Sequence, residues 1–247
     1  MTQPQAKVVL VLGASSDIGI EILKQLTDNE TLLIAHCYNG RDKLQEIQQK
    51  TGSRMKIVVA NLSTDSGVDD LIAKVAATTW IPNQIVHMPA SKFRFTRFKD
   101  EVWSNFQKDL DLQLKSIIRI SQEYLPAMVK IRQGRVVFML SSVCVGVPPK
   151  ALSSYTVIKY ALLGLMKSLA AEYSDKGITI NAVSPSMVET AFLSEIPEKM
   201  VEVFAANQPL KRNVTTEEVA SLVHFILSDD ARYMTGINFP VTGGAVF

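Results

Sequence analysis

The stretch Val8-Val-Leu-Val-Leu-Gly13-Ala-Ser-Ser-Asp17-Ile-Gly19 decides the fold. Five apolar residues, three of them valine, read as a strand buried on both faces. Gly13 makes a tight turn, and from Asp17 onward the apolar spacing becomes helical. Strand, glycine-bearing turn and helix N-terminus, in that order, aim backbone N–H groups and a helix dipole at a phosphate. Ser15 and Ser16 add hydroxyl donors, and Gly19 permits close packing or approach. The spacing departs from G-x-G-x-x-G, so the strict dinucleotide fingerprint is absent.

Outward from this unit the same alternation repeats. Short apolar, β-branched runs fall at 8–12, 32–35, 56–59, 84–87, 135–140, 179–183 and 237–241. Helical patterns lie between them, near 17–28, 41–51, 64–79, 99–132, 153–175 and 215–229. Repeated β-α-β predicts an α/β, Rossmann-like, doubly wound parallel sheet of seven strands with helices on both faces. No linker, repeat or low-complexity segment interrupts it, so residues 1–247 read as one domain. Ligands are expected beyond the carboxyl ends of the strands.

Composition narrows the function classes. The chain has 47% hydrophobic and 20% charged residues, which describes a globular protein with a sizeable core. Lys and Arg number 26 against 24 Asp and Glu, for a net charge of +2. That balance points away from nucleic acid and from an anionic membrane. Cys37 and Cys144 form no metal or redox spacing and fit a reducing cytoplasm. His36, His87 and His224 are too scattered for a metal site. The apolar run at 8–12 is too short for a signal peptide or a membrane span.

Chemistry concentrates around Tyr155-Thr-Val-Ile-Lys159. Positions i and i+4 share one helix face, so the two side chains project together. An ammonium beside a phenol favours phenolate and lowers its pKa, which suits proton exchange with an alcohol or carbonyl oxygen. Ser142 lies upstream, at the end of the fifth strand.

Taken together these segments resemble the short-chain dehydrogenase/reductase family. Its cofactor loop reads Thr-Gly-x-x-x-Gly-x-Gly. This chain matches at Gly13, Ile18 and Gly19, and carries Leu12 for the threonine and Asp17 for the middle glycine. Asp17 could cap the helix, and it should point away from a pyrophosphate or weaken its binding. Ser142 precedes Tyr155 by the family's spacing of serine and tyrosine. The resemblance implies that Ser142 bonds the substrate oxygen and Tyr155 transfers the proton. It also implies that Lys159 assists Tyr155 and binds the nicotinamide ribose. Asn181-Ala-Val-Ser-Pro185-Ser-Met-Val-Glu-Thr190 resembles a further family motif. Pro185, Val188 and Thr190 would line the nicotinamide and phosphates. Thr235-Gly236 and Val241-Thr242-Gly243-Gly244 resemble the family's closing strand and tail, with Thr242 in place of an aspartate, so the likeness covers nearly the whole chain.

The family places an acidic residue at the end of strand two to hold the ribose of NAD. Cys37 falls there, with Asn39 and Arg41 near enough for a 2′-phosphate, so NADP (NADPH) is preferred to NAD. Asn61 and Leu62 follow strand three, where the family contacts adenine. After strand four the family's Asn-Asn-Ala-Gly is replaced by His87-Met88-Pro89-Ala90. Pro89 removes a donor and Ala90 restricts positive φ, in a turn that would flank the cofactor. Gln113 takes the place of an asparagine that holds a relay water. Relay loss and relay adaptation are both compatible with it.

Residues 189–211 form the family's variable lid and are apolar here, as are parts of 143–149 and 93–98. That suits an acyl chain or another hydrophobic ketone. Lys115, Arg119, Lys130, Arg132 and Arg135 could dock an acyl carrier protein, or serve only as a solvated face. The helices at 99–132 and 153–175 are expected to pair in a homo-oligomer, a tetramer. The leading expectation is an NADPH-dependent ketoreductase resembling 3-oxoacyl-acyl-carrier-protein reductases. The alternatives are a nucleotide-binding protein with weak or no catalysis, and a sugar or polyketide ketoreductase.

Overall fold

The computed structural model describes residues 6–28, 30–92, 94–194 and 196–246. Its frame is a seven-stranded parallel sheet. The strands are β1 (Val8–Leu12), β2 (Leu32–Cys37), β3 (Met55–Val59), β4 (Gln84–His87), β5 (Gly134–Met139), β6 (Ile178–Pro185) and β7 (Asn238–Val241). They lie in the order β3-β2-β1-β4-β5-β6-β7. The doubly wound parallel sheet expected from the alternating pattern is therefore present. The chain winds outward from β1 to β3, then crosses back to place β4 on the other side of β1. That reversal opens a crevice at the carboxyl ends of β1 and β4.

Alternation along the strands sorts the core into two layers. Leu10, Leu12, Ile34, Ile85 and Phe138 face one side. They pack there on α3 (Asp65–Ala77), α5 (Ser116–Ile131) and α6 (Ser153–Tyr173). Val9, Val11, Leu33, Val86 and Val137 face the other. Their partners are α1 (Asp17–Gln25), α2 (Arg41–Thr51) and α8 (Thr216–Leu227). Asn181, wholly buried in β6, joins the edge strand: its Nδ2 donates to Met234 O and its Oδ1 accepts from Ile237 N–H. Among the described residues no helix is long and apolar enough to cross a membrane.

Two elements differ from the sequence pattern. The helix expected over 99–132 is interrupted. It comprises α4 (Trp103–Asp109), a π-turn at Leu110–Lys115 and then α5. A π-turn disturbs the usual i→i−4 ladder, and side chains take up carbonyls here. Ser116 Oγ donates to Leu112 O at 2.6 Å, and His87 Nε2 donates to Gln113 O at 2.9 Å. Within 189–211 a helix forms that the sequence pattern did not single out, α7 (Glu198–Asn207), after a single 3-10 turn at Ala191–Leu193.

Gly19 fixes how closely α1 approaches the turn before it. A Cβ there would stand 2.6 Å from Ala14 O and 2.8 Å from Ala14 C. Both are backbone atoms and cannot swing aside. Gly19→Ala should therefore destabilise the fold by about 2–3 kcal/mol. Urea denaturation measures this, and unchanged stability would show that the turn relaxes freely.

Candidate active site

One cleft of about 1150 Å³ runs over the carboxyl ends of the strands. At one end lies the glycine turn. Gly13 has φ 77°, and a Cβ on it would sit 3.3 Å from Pro89 N. The bare glycine thus lets the turn after β4 close against the turn after β1. Gly13 N–H donates to His36 Nδ1 at 3.3 Å, so His36 Nε2 carries the hydrogen and donates to Ala60 O at 3.0 Å. Ala14 N–H adds a bond to His36 O. Burial pushes the His36 pKa down to about 4, outweighing its bond to Ala60, so the ring stays neutral.

The serines of the turn are committed within the protein. Ser15 Oγ donates to Asn39 O at 2.7 Å, which ties the turn to the loop after β2. Ser16, not Asp17, caps α1: its Oγ accepts from Gly19 N–H at 3.1 Å and donates to Gly13 O at 2.9 Å. The next amides, of Asp17 and Ile18, have no acceptor among the described residues, as helix geometry requires of a first turn. Two free N–H groups at a helix N-terminus, lining an elongated cleft, suit the pyrophosphate of a dinucleotide. Asp17 itself turns its carboxylate sideways. Oδ2 accepts from Ala191 N–H at 2.7 Å, and Oδ1 lies 3.5 Å from Lys43 Nζ.

The other end holds the titratable groups. Lys159 is 3% exposed, and its ammonium donates to Met139 O at 3.0 Å. It stands 5.6 Å from the centre of the Tyr155 ring. The sequence reading had Lys159 lower the tyrosine pKa. Instead, burial pushes the Tyr155 pKa up to about 12, partly offset by a hydrogen bond with the Ser141 side chain. Burial likewise pulls Lys159 down to about 8, against the attraction of Cys144 and Asp109. Desolvation wins over pairing at both groups. At neutral pH the pair is a protonated phenol beside a cation. Ser142 lines the cleft at the head of a 3-10 turn, next to Ser141.

Behind this end sits a buried polar group of side chains. His87 Nε2 holds Gln113 O, which leaves Nδ1 as a bare acceptor. His87 Nδ1, Gln113 Oε1 and Asp109 Oδ1 are all buried without a hydrogen-bond partner among the described residues. Burial, reinforced by the Lys159 charge, pushes the His87 pKa down to about 3.

Most residues singled out from the sequence meet in this one cleft. Ser15, Ser16, Asp17 and Ile18 line it beside Gly13; Asn39, Asn61 and Leu62 follow. Pro89, Ala90, Pro185, Val188 and Thr190 close it around Ser142, Tyr155 and Lys159. Four do not line it. Gly19 packs behind the turn, and Gln113 is buried in the π-turn. Cys37 is 1% exposed, because strand alternation sends it into the α1–α8 layer. Arg41 opens α2 on the surface, and Lys43, two residues on, lines the cleft instead. The helical turn after Gly40 is the signal that could have found Lys43. Asn61 Oδ1 is committed to Ser63, through both its N–H and its Oγ.

The basic residues at 115–135 do not form one free patch. The sixteen residues of α5 lie between Lys115 and Arg132 and separate them by about 26 Å. Lys115 and Arg119 pair with Asp65, Asp111 and Asp69. Arg135 is buried against Asp229 at 2.7 Å. Phe93 lies outside the described residues.

Neutral, buried His36 and His87 carry a pH signature. Their folded pKa values lie below the ordinary 6.5, so the unfolded chain binds more protons between the two values. Their contribution is complete above pH 6.5 and is lost as pH falls. Stability should drop by about 3 kcal/mol between pH 6.5 and 5, before most carboxylates titrate. Urea midpoints at the two pH values check this; a flat profile would contradict neutral burial.

A family profile described as enoyl-(acyl carrier protein) reductase matches residues 13–246. The chain is 31% identical over 244 residues to a 3-oxoacyl-acyl-carrier-protein reductase of Pseudomonas aeruginosa, covering 97% of each. It is 30% identical to nodulation protein G of a Rhizobium species, covering 99% of this chain and 98% of that one. Among solved structures, 4-hydroxyisoleucine dehydrogenase complexed with NADH superposes with a TM-score of 0.87 at 24% identity, over 96% of this chain and 98% of that one. A 3-oxoacyl-acyl-carrier-protein reductase of Brucella melitensis does so at 0.87 and 21%, over 99% and 97%. With the glycine turn, the parallel sheet and the cleft in place, these likenesses make the chain a member of the short-chain dehydrogenase/reductase family, an NAD(P)-dependent oxidoreductase.

Proposed function

We propose that this protein is an NADPH-dependent ketoreductase acting on a hydrophobic carbonyl, best described as a 3-oxoacyl thioester. The observation that carries it is the meeting of Tyr155, Lys159 and the Ser141–Ser142 pair in the cleft that begins at the Gly13 turn. When bound, the reduced nicotinamide supplies the hydride. Ser142, with Ser141 beside it, orients the carbonyl oxygen. Tyr155 holds a proton at neutral pH and gives it to that oxygen. Lys159 keeps a positive charge close by, which stabilises the phenolate left behind.

Support for the substrate class comes from the far wall. Phe192, Leu193, Ile196, Met200 and Phe204 line it with Leu152 and offer no charge. Such a wall suits an acyl chain and leaves a sugar's hydroxyls unpartnered. Thioesters on acyl carrier protein fit the relatives' names, although the pairing of Lys115, Arg119 and Arg135 leaves only Lys130 and Arg132 of that basic set exposed without an ion pair among the described residues. For the cofactor, Asn39 in the loop after β2 and Lys43 in the first turn of α2 line the cleft, and β2 ends in Cys37 rather than a carboxylate, which favours the 2′-phosphate of NADPH over NADH. Val157 and Tyr160 are about half exposed on α6, and Gly164 opens onto free space. That face suits a second copy of the chain, in a cytoplasmic homotetramer built on one domain per chain with 189–211 as its lid.

Cofactor titration followed by turnover on β-ketoacyl thioesters, sugars and hydrophobic ketones tests this reading. Tight NADPH binding without turnover on any of them would leave a nucleotide-binding protein instead. Tyr155→Phe should cut kcat by about 10²–10⁴-fold while leaving NADPH affinity unchanged. Retained turnover removes Tyr155 as the acid.

Lys43→Ala should raise the Kd of NADPH roughly tenfold and that of NADH little. Equal losses for both cofactors would place Lys43 away from the 2′-phosphate.

A further inference from the structure

We infer that Asp17 is an affinity-setting residue of the dinucleotide cleft, an internal anion that the cofactor must displace. The inference rests on the dinucleotide reading above and concerns the one residue of the glycine turn that brings a negative charge. Asp17 spans the cleft between sites far apart in sequence. Its Oδ2 accepts from Ala191 N–H at 2.7 Å, and Ala191 opens the 3-10 turn that leads into α7. Its Oδ1 lies 3.5 Å from Lys43 Nζ, in the first turn of α2. Asp17, Lys43 and Ala191 all line the cleft.

The chemistry of these partners is that of a phosphate receptor. A backbone amide, a lysine ammonium and the N-terminus of α1 converge on one carboxylate. Each is a group that a phosphate would use. A pyrophosphate on the free Asp17 and Ile18 amides would carry its charge within a few ångströms of that carboxylate. At such separations, even partly screened, like charges repel by enough to change affinity roughly tenfold. Asp17 thus acts in two ways in the ligand-free protein. It latches the 191–193 turn to the glycine turn, and it neutralises Lys43. Cofactor entry must break the first contact and release the second.

Asp17→Ala and Asp17→Asn separate this reading from a plain helix-start role. Asn keeps the side-chain size and an acceptor for Ala191, which guards against a folding failure. Both variants should bind NADPH and NADH more tightly, Ala by roughly tenfold for each cofactor, because the pyrophosphate is common to both. In the ligand-free protein, hydrogen exchange of a peptide covering 186–194 should speed up in Asp17→Ala. Unchanged or weakened affinity in both variants overturns the proposal. So does unchanged exchange across 186–194 in Asp17→Ala. If neither cofactor binds the wild type or a variant, the dinucleotide reading fails and this one with it, whereas binding to all three at equal affinity removes only the role of Asp17.

Discussion

The cleft depends on one neutral imidazole. His36 accepts from Gly13 N–H and donates to Ala60 O, so a single ring joins the ends of β1, β2 and β3. It can do so only as one tautomer, with Nδ1 bare and Nε2 protonated. A protonated ring would turn a donor toward the Gly13 amide and break the staple. Burial enforces the neutral form, because a charge in that position meets no carboxylate among the described residues. The geometry of the glycine turn, and hence the direction of the α1 amides, is set from the protein interior rather than by the turn residues alone.

The same competition between burial and pairing governs the other end of the cleft. A lysine near a tyrosine reads, on sequence spacing, as a device for making phenolate. In three dimensions Lys159 is buried and Tyr155 partly so, and desolvation lowers the first pKa and raises the second. The result is a phenol that keeps its proton and a lysine that is still charged near neutrality. That state is prepared to give a proton to an oxygen that gains negative charge. In the proposed reduction, proton transfer leaves a phenolate whose ring centre lies 5.6 Å from the Lys159 ammonium, and that charge would stabilise it.

Strands and the parallel order were legible because burial on both faces leaves a plain signal of short β-branched runs. The glycine turn and the meeting of Tyr155 with Lys159 in the cleft were legible because placement follows from spacing along one element, although the direction of the Tyr155 shift was not. What escaped depends on direction. Cys37 and Tyr38 are neighbours in sequence, yet alternation sends the first into the core and leaves the second in the cleft. Arg41 and Lys43 carry the same charge, and only the pitch of α2 decides which turns inward. Basic residues at both ends of α5 look clustered in a sequence, because sequence distance takes no account of the length of a helix. The π-turn at Leu110–Lys115 was not read from the sequence, and the histidine that takes up one of its carbonyls lies on another element.

Two departures from the family pattern, His87 and Asp17, are held by partners distant in sequence. His87 and Gln113 lie 26 residues apart and read as two separate losses, but the imidazole of one holds the backbone carbonyl of the other. A shorter amide at 87 would have to reach further to satisfy that carbonyl, and the π-turn would lose the bond that takes up its exposed acceptor. Asp17 follows the same logic. A carboxylate replacing glycine is a liability beside a phosphate, but here a helix N-terminus, Lys43 and the Ala191 amide surround it. His87 and Asp17 each have a partner in space that no spacing rule predicts, whereas the Gln113 side-chain oxygen has none among the described residues. Removing either side chain strands its partner: without His87 the Gln113 carbonyl loses its donor, and without Asp17 the Ala191 amide loses its acceptor.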